Sequence, residues 1–224
     1  MYPLNDVMKD YTIEFIRKTK NKKALTEVLR RGENNTISCF AAENSNCPPE
    51  ALAEVLRRGK DDGVSHFAAD NPNCPPDALV EVLRRGKDDI VSRRAAYNSN
   101  CLPEVLAEVL RRGKDDGVSQ NAAMNSNCPI EVLAEVLRRG KDDAVSCLAA
   151  DNLNCPLEML AEVVRRGNDD GVSRYAANNS IYQKYLIKIK RDKKKLKLQE
   201  EKLNSGVRSN VNSLFYGIQV NEQN

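Results

Sequence analysis

Seven cysteines are the residues of this chain whose type and spacing most suggest metal or redox chemistry. Packed helices lie about 8 to 10 Å apart, whereas a disulfide needs Cα atoms within about 7 Å and zinc needs sulphurs at about 2.3 Å. Equivalent cysteines of stacked helices therefore cannot meet, and we predict reduced thiols with no metal, disulfide or cofactor. Five recur every 27 residues and two lie elsewhere: Cys47, Cys74, Cys101, Cys128 and Cys155, then Cys39 and Cys147.

Five pairs of adjacent aspartates have the composition of a calcium site or a general acid–base pair. The pairs are Asp61 and Asp62, Asp88 and Asp89, Asp115 and Asp116, Asp142 and Asp143, and Asp169 and Asp170. One interval earlier the chain has Asn34 and Asn35, which can still cap a helix but lack the charge that calcium or acid–base chemistry needs. Helix capping is therefore favoured. His66 is the only histidine and has no nucleophile or metal-ligand motif around it, so we predict no catalytic residues and a non-enzymatic protein.

Arginine pairs recur at the same interval, from Arg30 and Arg31 to Arg165 and Arg166. They could follow a phosphate backbone. They also stand where a helix is predicted to end, and cations stabilise helix C-termini. The structural interpretation is favoured, and nucleic-acid contact stays open as the alternative.

All of these residues belong to a repeat of 27 residues, whose units begin at Ala24, Ala51, Ala78, Val105, Val132 and Met159. A period of this length is typical of solenoids. Each unit is predicted to contain two helices. In the third, the longer helix has Cys74 at its N-cap and Gly86 as a left-handed C-cap. The shorter is capped by Asp88 or Asp89 and ends at Asn98, because Asn tolerates the left-handed conformation.

A pair of short helices cannot bury its apolar face alone, so neighbouring units must stack. We predict an all-α fold, a right-handed α-solenoid superhelix over residues 24–180, with the sixth unit truncated. Residues 1–23 form the N-terminal helical cap, residues 181–203 a basic capping helix, and residues 204–224 a flexible tail. The N-terminal segment, residues 1–23, is expected to contain a helix whose N-cap residue is Asn5. One face of this helix would carry an apolar stripe of Met8, Tyr11 and Phe15.

The segment from Val118 to Ala134 resembles the leucine-rich repeat variant family of α-solenoids. It reads Val-Ser-x-x-Ala-Ala-x-Asn-x-Asn-Cys-Pro followed by x-Glu-x-Leu-Ala. The resemblance covers residues 24–180. It implies units that pair an α-helix with a short, often 3₁₀-like helix, and a binding scaffold without shared catalytic residues. Some members carry a cysteine-rich iron–sulphur module, but residues 1–23 and 181–224 contain no cysteine, so no such cofactor is expected.

The units differ most at four places spaced i, i+3, i+4 and i+7 on the shorter helix, which lie on one stripe. Drift would change every exposed place, yet the Glu, Arg, Lys and Asp positions barely differ. We therefore predict a recognition surface, the variable stripe. It consists of Phe40, Glu43, His66, Phe67, Asp70, Arg93, Arg94, Tyr97, Gln120, Asn121, Met124, Leu148, Asp151, Arg174, Tyr175 and Asn178. The other variable positions are Thr36, Cys39, Gly63, Ile90, Gly117, Ala144, Cys147 and Gly171.

The shorter helices are expected to pack through alanine and the longer ones through leucine and valine. Spacing should therefore be tighter on the shorter-helix side, which places the variable stripe on a concave face. Units three and four are the expected centre of the recognition surface.

Charge separates two classes of partner. The net charge is only +3, but residues 24–180 hold 19 basic and 25 acidic residues, whereas residues 181–224 hold 10 and 4. A net charge of −6 on the repeats disfavours a phosphate backbone along them, so a protein or extended peptide is the predicted partner. The alternative is single-stranded RNA or DNA, with Phe40, Phe67, Tyr97 and Tyr175 for stacking, Arg93, Gln120 and Asn121 for base edges, and help from the basic C-terminal helix.

No apolar run approaches the roughly 18 residues of a membrane span, and the first 25 residues lack the apolar core of a signal peptide. Reduced thiols are typical of cytoplasmic proteins. We expect a cytoplasmic monomer that does not bind membranes.

Overall fold

The computed structural model describes residues 11–167 and 169–221, with side chains described up to residue 203. This part of the chain contains fourteen helices and no strand, which confirms the predicted all-α fold of stacked repeats. The chain divides into two compact units, Met1–Asn179 and Ser180–Asn224.

The first unit contains a short helix followed by six helix pairs. Helix α1 is Ile13–Lys18. The longer helices are α2 (Lys22–Arg30), α4 (Pro49–Arg57), α6 (Pro76–Arg84), α8 (Pro103–Arg111), α10 (Ile130–Arg138) and α12 (Leu157–Arg165). The shorter helices are α3 (Thr36–Glu43), α5 (Gly63–Asp70), α7 (Ile90–Tyr97), α9 (Gly117–Met124), α11 (Ala144–Asp151) and α13 (Gly171–Asn178). The shorter helices are α-helical rather than 3₁₀-like.

The start of the longer helix differs from the prediction by one residue. In α6 the N-cap is Pro75, not Cys74, and no side chain caps the helix. Proline at the first helical position, here Pro76, has no N–H to leave unpaired, which reduces the need for a capping side chain. Cys74 instead turns into the core, where it is fully buried.

The end of the longer helix is as predicted. Gly86 follows α6 with φ of 70°, and the equivalent glycine of every repeat has φ between 67° and 72°. This left-handed conformation is strained for any residue with a Cβ. The chain then turns back into the shorter helix.

The shorter helix begins at the second aspartate of each pair. Asp89 is the N-cap of α7, and its side chain accepts a hydrogen bond from the Ser92 N–H at 2.8 Å. Helix capping by these aspartates is therefore confirmed. The predicted left-handed end at Asn98 was wrong, since this residue is extended with φ of −61° and ψ of 133°.

Asn98 is extended because its side chain contacts the preceding repeat. Its buried Nδ2 donates to the Ala69 carbonyl at 2.7 Å and to the Asn71 carbonyl at 3.1 Å. These carbonyls end the preceding shorter helix; the Asn71 carbonyl also accepts from the Cys74 N–H, whereas the Ala69 carbonyl depends on Asn98. The same two bonds recur at Asn71, Asn125, Asn152 and Asn179, so a ladder of buried asparagines joins successive repeats.

The arginine pairs also join neighbouring repeats, which confirms their structural interpretation. Arg85 donates from Nη2 to the carbonyl of Leu56 at the end of the preceding longer helix, at 2.8 Å. Arg84 pairs with Glu108 of the following longer helix at 2.9 Å. The first bond satisfies a helix C-terminus, and the second holds two longer helices in register.

Buried leucine and valine line the longer helices, and pairs such as Ala68 and Ala69 line the shorter ones. Because alanine is small, successive shorter helices approach one another more closely than successive longer helices. At the start of the array α1 packs against α3, and Asn44 donates to the Ile16 and Thr19 carbonyls. Helix α1 thus takes the place of a preceding shorter helix. Its N-cap is Thr12, while the predicted positions Asn5 and Met8 lie outside the described residues.

The second unit consists of one helix, α14 (Ser180–Asn221). The predicted helix end near Leu203 was wrong, since α14 continues to Asn221. Apolar residues at Val207, Val211, Leu214 and Ile218 continue at spacings of three and four, which favours helix over coil across Gly206. None of the described helices is both long enough and apolar enough to cross a membrane.

Candidate recognition surface

The variable stripe lies on the outward face of the shorter helices. Every one of its residues is exposed or half-buried, and none is enclosed between repeats. In α7, for example, Val91, Ser92 and Ala95 are buried, whereas 56% of Tyr97 is exposed. An eight-residue helix that buries its second, third, sixth and seventh positions must present the other four to solvent.

Repeats 2 to 4 form a groove on this surface. One cavity of about 400 Å³ is lined by residues that include Asp70, Tyr97, Ser99 and Met124. A second of about 330 Å³ is lined by Asp70, Ile90, Arg93, Arg94, Tyr97 and Asn121. Both are lined by Asp70 and Tyr97, so the two cavities lie side by side along α7 and are together called the groove.

The arginines of this groove are already held by carboxylates. Arg93 makes a bidentate pair with Asp88, with both N–O distances at 2.9 Å. Arg94 reaches back to Asp70 of the preceding repeat at 2.9 Å. Hydrogen bonding to Arg93 holds the pKa of the Asp88 carboxyl below its ordinary value.

Neighbouring variable positions also touch across the repeat boundary. The Arg93 side chain lies against Gly117, at the start of the next shorter helix, and a Cβ on that residue would collide with the guanidinium. Cys147 and Gly171 are related in the same way one pair of repeats later. The residue at one variable position therefore restricts what its neighbour can be.

In the first four aspartate pairs, the first aspartate caps the next repeat rather than its own. Asp88 accepts from the Val118 N–H at 3.2 Å, and Asp115 accepts from the Val145 N–H at 3.3 Å. Both members of these four pairs are thus capping residues, in two different repeats. The sequence indicated the capping role but not the recipient helix, because that depends on how repeats stack.

On the shorter-helix side of the array, Asp61, Asp70 and Asp88 of repeats 2 and 3 have basic partners, whereas Asp115, Asp142 and Asp151 of repeats 4 and 5 do not. His66 lies 2.7 Å from Asp61, and Arg93 and Arg94 pair as above. Asp115 accepts from the Val145 N–H at 3.3 Å and from the Gln120 amide at 3.4 Å, and both donors are uncharged. Over the side chains that the structure describes, no cation lies within ion-pair distance of Asp115, Asp142 or Asp151.

Other residues of the variable stripe are engaged locally or lie far from the groove. Phe40 is half-buried beneath the Arg17 guanidinium, 4.7 Å from its ring centroid. Asn121 donates to the Gly117 carbonyl of its own helix at 2.8 Å. Arg174, Tyr175 and Asn178 belong to the last repeat. Exposed Glu43 and half-buried Leu148 lie outside the lining of the groove, as do His66 and Phe67.

The recurring cysteines are core residues. Burial raises the pKa of Cys47, Cys74, Cys101, Cys128 and Cys155 to about 12, so these thiols are protonated at neutral pH. They act as small apolar groups beneath the start of each longer helix. In the described part of the chain no three His, Cys, Asp or Glu side chains are grouped so that they could hold a metal.

Comparison of the chain with protein-family models, curated proteins and solved structures gives no match. Its function is therefore inferred from the chemistry of this surface.

Proposed function

We propose that this protein is a non-enzymatic scaffold that binds a protein or an extended peptide through the variable stripe. The observation that carries the proposal is the groove around Tyr97. There, a large and exposed aromatic side chain stands beside Met124, 48% exposed, in a depression flanked by fixed charges. Exposed aromatic, methionine and arginine side chains are typical of binding surfaces.

The state of the arginines favours a protein partner over a nucleic acid. Arg93 and Arg94 would have to leave Asp88 and Asp70 before they could bind phosphate. The paired arginines of the longer helices are engaged with glutamates and carbonyls, as at Arg84 and Arg85. Nearby carboxylates would repel a phosphate backbone, whose binding depends on unpaired cations.

Two further proposals accompany this one. The motif from Val118 to Ala134, together with the helix pair every 27 residues, supports membership of the leucine-rich repeat variant family. The closer spacing of the shorter helices supports a variable stripe on the concave side of the array. A cytoplasmic location is proposed because all seven cysteines are free of disulfides, as is usual in a reducing compartment; a monomeric state is proposed with it.

The test is selection of peptides from a displayed random library on the full-length protein. Binding is then compared in the triple variant Arg93→Ala, Arg94→Ala and Tyr97→Ala. Loss of the apolar anchor and two charges should weaken binding at least tenfold, while the melting temperature changes by only about 2 °C, because surface substitutions rarely alter stability.

The matched control is Glu104→Gln, Glu131→Gln and Glu158→Gln, three exposed residues of the longer helices, which should bind normally. A large fall in melting temperature of the first variant would show that the stripe is structural. Fluorescence anisotropy with single-stranded RNA and DNA covers the alternative. Binding near physiological salt that survives neutralisation of the α14 lysines but fails in the triple variant would contradict a protein partner.

A further inference from the structure

We infer that the segment bound by the variable stripe is extended and basic, with lysine or arginine side chains three residues apart opposite repeats 4 and 5. This inference rests on the proposed function and specifies the chemistry of the partner. It starts from the difference in charge pairing along the stripe.

Repeats 4 and 5 present a row of carboxylates without cations. Asp115, Asp142 and Asp151 are exposed, and helices α9 and α11 contain no lysine, arginine or histidine. Arg93 of α7 lies against the start of α9 but is paired with Asp88. The Lys141 ammonium, in the loop before α11, is directed to the Gly113 carbonyl at 3.5 Å. The negative potential is felt by the neighbouring thiol, since burial and then Asp142 raise the pKa of Cys147.

Repeats 2 and 3 show what the same positions do when a cation is available. Asp88 is neutralised by Arg93, five residues later, and Asp61 contacts His66 at the same spacing. In repeats 4 and 5 the residues at this spacing are Gln120 and Cys147, which cannot supply a charge. A basic side chain from a partner would occupy the place that Arg93 fills in repeat 3.

The spacing of the repeats sets the spacing of these side chains. Stacked helices lie about 8 to 10 Å apart, and a polyproline II segment, an extended conformation with three residues per turn, rises about 3.1 Å per residue. Three residues therefore advance one repeat and return the side chain to the same face, so lysines at i and i+3 can face Asp115 and Asp142 together.

The floor of the groove favours an extended chain over a helix. Ser99 and Ser126 are exposed in the cavity beside Tyr97 and Met124. Their hydroxyls can bond the N–H and C=O groups that an extended segment leaves unpaired, whereas a helix satisfies its own. Tyr97 and Met124 then supply apolar contact for a residue that precedes the lysines.

The experiment measures binding of a labelled 12-residue peptide with lysine at every third position and proline and alanine between, which favour polyproline II, by fluorescence anisotropy with the full-length protein. We expect saturable binding that weakens at least tenfold in the variant Asp115→Asn, Asp142→Asn and Asp151→Asn. Asparagine retains helix capping, and Asn34 already occupies the position equivalent to Asp115 in repeat 1. The variant should therefore fold normally, which circular dichroism checks.

Two controls decide between specific recognition and general attraction. The variant Glu104→Gln, Glu131→Gln and Glu158→Gln removes the same charge from the longer helices and should change affinity by less than about twofold. A peptide of the same composition with its lysines contiguous should bind at least fivefold more weakly. Equal binding by either peptide, equal losses in both variants, or no binding at all would overturn the inference.

The peptide selection described under the proposed function distinguishes failure of this inference from failure of the proposed function. If selected peptides are acidic or uncharged and still depend on Tyr97, the proposed function stands and the inference falls. If no selected peptide depends on the variable stripe, both fall.

Discussion

The longer-helix and shorter-helix surfaces of the array use the same residue types differently. On the longer helices, Arg84 and its equivalents Arg30, Arg57 and Arg111 pair with a glutamate of the next repeat, and the outward residues barely change from unit to unit. On the shorter helices, the outward residues change in every unit and only some charges are paired. Where buried groups already join neighbouring repeats, the exposed side chains of the shorter helices are free to vary.

The ladder of buried asparagines explains why the exposed surface of the shorter helices can vary while the repeats stay packed together. Buried amide bonds such as those of Asn98 join the shorter helices from beneath, so the outward side chains contribute little to stacking. Recognition residues can then be exchanged without loss of the fold.

The largest expected effect comes from breaking this ladder. Asn98→Ala removes both bonds to the preceding repeat and leaves the buried Ala69 carbonyl unpaired, while the Asn71 carbonyl keeps its bond from the Cys74 N–H. We expect a loss of about 3 kcal/mol in the free energy of unfolding, measured by urea denaturation with circular dichroism. Asn121→Ala, on the variable stripe, is the control and should cost only about 0.5 kcal/mol. Equal losses of unfolding free energy in the two variants would show that the buried and exposed faces of the shorter helix contribute equally to stability, which contradicts this account.

A smaller effect, on the pKa of one carboxyl group, tests the difference between paired and unpaired carboxylates. Arg93→Ala is expected to raise the pKa of Asp88 toward its ordinary value of about 3.9, as followed by NMR of the side-chain carboxyl. Because the pKa is depressed in the folded protein, the pair stabilises above about pH 4, and this contribution is lost as the pH falls through the folded-state pKa. Arg94→Ala should leave Asp88 unchanged, and an unaltered titration in Arg93→Ala would show that the pair does not persist in solution.

Much of the fold followed from the repeat itself. The helix pairs, the glycine C-caps such as Gly86 and the capping by Asp89 are local features that one unit specifies. The roles of Asn98 and Arg85 could not be predicted in this way, because their partners lie in the preceding repeat. An invariant polar residue at the end of a core-facing helix, as at Asn98, was the available signal.

The candidate site was also predictable only in part, and again the contacts within one repeat were the predictable ones. Helical spacing was sufficient to predict that Tyr97 and Met124 face outward. It was not sufficient to predict that Arg94 pairs with Asp70 or that Arg93 lies against Gly117, since both contacts cross a repeat boundary. The contrast in charge between repeats 3 and 4 therefore became visible only in the structure.

The most direct measurement uses the methionines as reporters. Met124 is exposed on the variable stripe, and Met159 is buried in α12, a longer helix. In protein labelled with ¹³C at the methionine methyl groups, addition of a selected peptide should shift or broaden the Met124 signal and leave Met159 unchanged. A response at Met159 with none at Met124 would contradict recognition by the shorter-helix surface.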